Sequence, residues 1–126
     1  IIPGLPPNDP LLKSAFLAAD MFVLPSIHEP FGIVILEAWA AGCPVIASAV
    51  GGIPGFTKDE TNVLLFKSDD CSALVHAMER LATTPQLMDR LRQHALAEVR
   101  AYDWKHIARQ TLDIYSHVID RARYEL

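Results

Sequence analysis

The chain has 126 residues, of which 51% are hydrophobic and 21% charged, and a formal net charge of −4 at pH 7. That balance excludes a solvated, disordered polypeptide, and the length suits one compact unit better than a two-domain enzyme. A negative sum without a long Lys/Arg block argues against an electrostatic grip on nucleic acid or on an acidic membrane, so a small molecule is the expected ligand.

Residues 1–10 hold four prolines, a glycine and an Asn-Asp pair, which reads as the end of a strand running into a loop. Asn8 or Asp9 is placed to cap a helix over 11–19. The continuous apolar run Met21-Phe22-Val23-Leu24-Pro25 has the character of a buried parallel strand, and so do residues 44–47 and 62–66. Between the first two runs, residues 33–41 predict a helix stopped by Gly42. Strand, helix, strand implies a parallel sheet with helices on its faces, an α/β fold with a Rossmann-like but incomplete sheet.

Beyond Phe66 three helices are expected, over 71–82, 85–100 and 104–123. Thr84 before Pro85 and Asp103 before Trp104 supply their start signals. Leu74, Ala77, Met78 and Leu81 recur at spacings of three and four, the mark of a face packed on the core. The mixed charges from Glu79 to Arg109 read as a solvated face. Cys43 and Cys71 lack the close Cys or His neighbours of a zinc site and read as reduced, small apolar residues. His28, His76, His94, His106 and His117 show no ligand spacing, so neither a metal nor a cofactor is expected. No charged n-region opens the chain, and no run approaches the roughly 20 apolar residues of a membrane span. A cytoplasmic setting is expected, at most peripheral to a membrane.

Residues 26–54 carry the specific information: S-I-H-E-P-F-G-I-V-I-L-E-A-W-A-A-G-C-P-V-I-A-S-A-V-G-G-I-P. Between Glu29 and Lys58 the lone charged side chain is Glu37, in a helix whose sequence is apolar all round and is therefore expected to be buried. An ionised carboxylate buried without partners costs several kcal/mol or more, so Glu37 must be protonated, paired, or set where the helix meets a polar cleft. The cleft is favoured, because ligands of open α/β sheets bind beyond the C-terminal strand ends and the loop from Pro25 to Gly32 leaves such an end. Glu29 and Glu37 are both expected to face it. Glu29-Pro30-Phe31-Gly32 delivers the chain to a helix start whose first amides lack intrahelical acceptors, an arrangement suited to a phosphate. Gly51-Gly52 after the next strand is expected to expose a second stretch of backbone at the same edge.

These residues resemble the retaining glycosyltransferases of family 4, which have the two-domain GT-B fold. The resemblance rests on two glutamates with seven residues between them, Glu29 and Glu37. It rests also on A-A-D-M-F-V-L-P-S before them, on G-G-I-P after them, and on Tyr102-Asp103-Trp104 leading to Tyr115. It implies that the chain is the later part of a nucleotide-sugar-binding domain, with a crossover helix over about 103–123. The implied reaction moves a sugar from a nucleotide donor to an acceptor hydroxyl, with retention of anomeric configuration and without a metal. Glu37 would accept hydrogen bonds from the ribose hydroxyls. Glu29, the implied catalytic group, would lie beside the donor sugar and stabilise charge as the glycosidic bond breaks. Amides of Phe31, Gly32 and Ile33 would meet the sugar and those of Ile33 and Val34 the diphosphate, with His28, Gly51 and Gly52 completing the donor site.

Three departures accompany the resemblance. Gly55 stands where the family usually has an acidic residue, the usual glycine of the next loop is replaced around Glu60-Thr61-Asn62-Val63, and the Arg and Lys that neutralise the diphosphate are not found. The expectation is a chain that is inactive alone and at best a weak nucleotide binder, whose partners are a nucleotide sugar and the N-terminal domain of the same enzyme. A glycogen-synthase-like enzyme shares an E-P-x-G loop but is expected to carry a non-acidic residue in place of Glu37. A non-catalytic nucleotide-binding or interaction module would pair two copies through an open sheet edge. A dehydrogenase would need the absent G-x-G-x-x-G turn.

Overall fold

The computed structural model describes residues 4–6 and 9–124. The strand end expected near Ile1 and the alternative cap Asn8 lie outside them. Helix α1 (Pro10–Ala18) starts one residue before the expected position, because Pro10 supplies a preset φ and the Asp9 carboxylate accepts the Leu11 amide at 2.8 Å. Strand β1 (Phe22–Leu24), helix α2 (Ile33–Ala40), strand β2 (Val45–Ser48) and strand β3 (Leu64–Phe66) stand where the apolar runs placed them. β1 is shorter than its run, since Pro25 cannot donate to a ladder; β2 keeps four residues but starts past Pro44, and β3 begins at Leu64 and not at Asn62. Gly42, just past α2, has φ 71°, the left-handed stop that its position foretold.

All pairing is parallel, in the order β1-β2-β3, with Phe22 opposite Val45 and Ile46 opposite Leu64. Alternation along β2 divides the core between two faces. Val45 and Ala47 meet Phe16 of α1 and Ile35 and Trp39 of α2. Ile46 meets Leu81 of α4 (Cys71–Thr83) and Leu87 and Leu91 of α5 (Pro85–Glu98) on the other side. Of the four apolar positions assigned to the packed face of α4, Ala77 and Leu81 are buried and Leu74 is half-buried, while Met78 is 39% exposed.

Three local features differ from expectation. Ile53–Phe56 forms a short helix, α3, directly after Gly51-Gly52, where no element was expected. The end of α5 tightens into a 3-10 turn, Val99–Tyr102, before α6 (Trp104–Tyr124). The third difference bears on function: α2 is not buried all round. Ile35, Ala38 and Trp39 are buried, but Ile33, Glu37 and Ala40 are exposed along one side. Among the described residues, no helix is long and apolar enough to cross a membrane.

Candidate functional site

The C-terminal ends of the three strands lie at one edge of the sheet, and their loops are tied to one another there. Ser48, fully buried at the end of β2, donates its hydroxyl to the Ser26 carbonyl at 2.5 Å, with the Leu24 carbonyl 3.4 Å away. Ser68, after β3, reaches the same Ser26 carbonyl at 3.5 Å. These bonds aim the loop that carries Glu29 as it leaves β1. Sequence reading assigned no role to Ser48, although a hydroxyl ending an otherwise apolar strand is the signal that could have found it.

The Gly51-Gly52 turn underlies this loop. Gly51 has φ 54°, and a Cβ there would overlap the Glu29 carbonyl oxygen; one on Gly52 would overlap that of Pro30. The Gly52 amide donates to Glu29 O at 3.2 Å. The two glycines therefore serve close backbone packing beneath Glu29 and Pro30, and the Gly52 donor that had been expected to face a ligand is engaged within the protein.

The loop ends at Gly32, whose φ of 98° is closed to side-chain-bearing residues and turns the chain into α2. No side chain caps this helix start. The first amides of α2, at Ile33 and Val34, have no intrahelical acceptor by the geometry of any helix, and the helix dipole adds positive potential there. Glu29 is half-buried, and its carboxylate turns back to accept the Phe31 amide at 3.4 Å. His28 and Phe31 are exposed, Gly32 is buried and Val34 half-buried.

Glu37 sits one turn into α2 on its open side, where an ionised carboxylate is solvated, so the expected conflict between charge and burial does not arise. Two grooves of about 470 Å³ each meet at Glu37 and Ala40. One runs between α1 and α2, with Asp9, Leu12, Lys13 and Phe16 on its far wall. The other runs between α2 and the root of α6, with Arg100, Tyr102 and Trp104 opposite. The structure thus joins Glu29 to Gly51 and Gly52 through the backbone, and sets Glu37 on the wall of both grooves.

Beneath the loop lies an aromatic cluster that sequence reading did not identify. Phe56 of α3 stacks on Phe31 with ring centroids 4.8 Å apart and planes 18° off parallel. The same ring meets Trp39 edge-on at 5.7 Å and Tyr102 at 6.0 Å. Burial holds the Tyr102 hydroxyl above its usual pKa, and the nearby Glu98 carboxylate pushes the same way.

Residues 4–97 match the family described as glycosyl transferases group 1. A D-inositol 3-phosphate glycosyltransferase of Nocardioides is 40% identical over 86% of the chain, which covers 23% of that protein. Among solved structures, a sucrose-phosphate synthase from Thermosynechococcus elongatus superposes with a TM-score of 0.79 and 37% identity, over 88% of this chain and 28% of that one. Anabaena HepE in complex with UDP-glucose does so at 0.77 and 25% identity, over 84% of this chain and 30% of that one. The chain spans about a quarter of the length of the curated relatives it matches.

Proposed function

Because this chain belongs to the group 1 glycosyl transferases, we propose that it is the nucleotide-sugar-binding unit of a retaining glycosyltransferase, moving a sugar from its donor to an acceptor hydroxyl. The observation that carries the reading is the uncapped start of α2, reached through Gly32 at φ 98°, with Glu37 on the same helix facing two grooves. Departure of the sugar leaves negative charge on the diphosphate oxygen. Preset amide donors at Ile33 and Val34, with the helix dipole behind them, stabilise that charge as it develops and need no reorganisation to do so. We assign Glu37 to the ribose: a carboxylate with two oxygens accepts both hydroxyls of a vicinal diol, and each bond is charge-assisted. The groove between α1 and α2 then takes the nucleoside, where Leu12 and Phe16 offer an apolar wall to the base.

Glu29 is assigned to the donor sugar. In its present rotamer it accepts the Phe31 amide over a long 3.4 Å, and a sugar hydroxyl can compete for that carboxylate. His28, Phe31 and Gly32 complete the sugar side. The relatives are several times longer than this chain, and the acceptor site is assigned to the further domain that their length implies. On this reading the 126 residues alone bind the donor and do not turn it over.

Titration of UDP, GDP, ADP and their glucose esters into the chain, followed by calorimetry, tests the site. Binding in the millimolar range or tighter is expected, weakened by about tenfold or more in Glu37→Ala, the worth of a charge-assisted bond. For a full-length enzyme carrying this unit, undiminished turnover after Glu29→Gln and Glu37→Gln together would sink the assignment. A second reading has one observation in its favour: among the described residues β1 ends the sheet, paired on one side by β2, which leaves its outer edge open to a second copy.

A further inference from the structure

We propose that Phe56 is a positioning residue for the donor loop, holding the amides of Phe31, Gly32 and Ile33 in their ligand-facing arrangement through its stack on Phe31. The functional consequence rests on the donor-site reading above; the anchoring itself rests on geometry alone.

The loop needs an external anchor. Glycine takes φ values of either sign with similar ease, so Gly32 at 98° permits the observed turn without selecting it. The Glu29 carboxylate bond to the Phe31 amide is 3.4 Å long and exposed, too weak to fix the backbone. The Gly52 amide secures Glu29 at 3.2 Å, which pins only the start of the segment. At its far end the Gly32 carbonyl accepts the Ile35 amide at 2.9 Å, which ties Gly32 into α2 but leaves Phe31 to its ring contact, the face of Phe56 at 4.8 Å. The point where a Cβ on Gly32 would be lies 3.2 Å from Ile35 Cδ1, 3.4 Å from Ile53 Cγ1 and 3.7 Å from Phe56 Cζ, so the ring backs the Gly32 backbone together with those two side chains. Phe56 is itself held edge-on by Trp39, which is fully buried. Its remaining edge meets Tyr102, two residues before α6, so the donor loop and the root of α6 share one anchor.

Hydrogen exchange and nucleotide titration on the 126-residue chain separate the parts of this proposal. In Phe56→Leu, exchange of the Ile35 and Gly52 amides, which bond the loop carbonyls of Gly32 and Glu29, and of the Asp103 amide, which bonds Arg100 O, should accelerate roughly two- to tenfold, the worth of an aromatic pair, while the amides of β3 keep their parent rates. Affinity for UDP, GDP or ADP, whichever the parent binds best, should fall by a similar factor. Leu87→Val, in the core on the opposite face of the sheet, is the control: it should lower the melting temperature and leave the loop rates and affinity unchanged. Phe31→Leu removes the same stack from the solvent side, and a double-mutant cycle with Phe56→Leu should be non-additive in the loop rates. Loop exchange at parent rates in both single variants, or strict additivity, overturns the proposal. If Phe56→Leu does not fold, Phe31→Leu alone decides by the same criterion. A parent that binds no nucleotide refutes the donor-site reading, and the exchange data still judge the anchor.

Discussion

Gly51, Gly52 and Gly55 lie within five residues and are held to different standards. A side chain at Gly51 would need both a left-handed backbone and the displacement of Glu29 O, and one at Gly52 would displace Pro30 O. Gly55 has open space where its Cβ would go and no positive φ. We therefore expect Gly51→Ala and Gly52→Ala to lower stability by about 2–4 kcal/mol, and Gly55→Ala to raise it by about 0.5–1 kcal/mol, read by urea unfolding. The result would show that the absence of an acidic side chain at 55 does not reflect a steric limit. Glu60 presents the reverse case. It has φ 57° near where the family's usual glycine was missed, and is held by a 2.5 Å contact with exposed Arg80, which also keeps the Glu60 carboxyl below its usual pKa. Glu60→Gly should leave thermal stability unchanged or raised, since it removes backbone strain and only a solvated ion pair.

Cys43 and Cys71 were read alike and differ in the fold. Burial raises the Cys43 thiol pKa above its ordinary 9.0, with Arg92 opposing and Asp20 adding to the rise, whereas Cys71 is exposed. A raised pKa means that the folded state holds its proton more tightly than the unfolded state. The resulting stabilisation is complete below pH 9.0 and is lost as pH rises through the folded value. Unfolding midpoints between pH 8 and 10.5 should thus fall more steeply for the parent than for Cys43→Ala, and a thiol reagent should label Cys71 while leaving Cys43 intact until the chain unfolds.

At the scale of elements, what could be read in advance was what local chemistry determines. Caps and apolar runs located the helices and strands because each signal acts within a few residues. Even so, the two predicted caps of the C-terminal half divide. Asp103 accepts the Lys105 amide at 2.8 Å, but Thr84 makes no side-chain cap bond, and α5 relies on Pro85 for its start. The cap that was not read is Asp70, whose carboxylate accepts the Ala73 amide at 2.8 Å. Asp70→Ala should cost about 1 kcal/mol and Thr84→Ala a few tenths, a contrast that denaturant melts of the two variants can resolve. The helix α3 escaped notice because Ile-Pro-Gly-Phe has no period to detect. Burial of α2 was misjudged for a different reason. Apolar side chains at Ile33 and Ala40 do not reveal which side of a helix receives cover, and here that side opens onto the grooves. Glu37 was legible as the one charge of an apolar helix, but the cleft it was expected to share with Glu29 was not: Glu29 lines neither of the two grooves that meet at Glu37. The ring of Phe56 was not legible either, since its partners Phe31, Trp39 and Tyr102 are scattered along the chain and meet only in three dimensions.

For the molecule as a whole, α6 sets the largest unmet demand. Its 21 residues carry an apolar stripe including Trp104, Leu112, Tyr115 and Val118, exposed by 82%, 63%, 61% and 62%. Ile107, one turn in, is half-buried. On a helical wheel Trp104, Leu112, Tyr115 and Val118 share one side with Ile107 and Ile119, while Arg109, Asp113 and Asp120 occupy the other. A stripe of this width is stable in water only when covered. In the proposed enzyme its cover is the further domain, which matches the length of the relatives and the place of α6 after the donor unit. Without that domain the stripe is expected to find itself. Sedimentation of the 126-residue chain should give a mass that rises with concentration above the 13.9 kDa monomer. Tyr115→Glu with Val118→Glu should hold it at the monomer mass while circular dichroism still reports α6 as helical, because both substitutions lie on the stripe and neither touches the sheet. A parent that stays monomeric at hundreds of micromolar would show that the exposed stripe is tolerated in water without cover, and the assignment of its apolar side to another domain would fall with it.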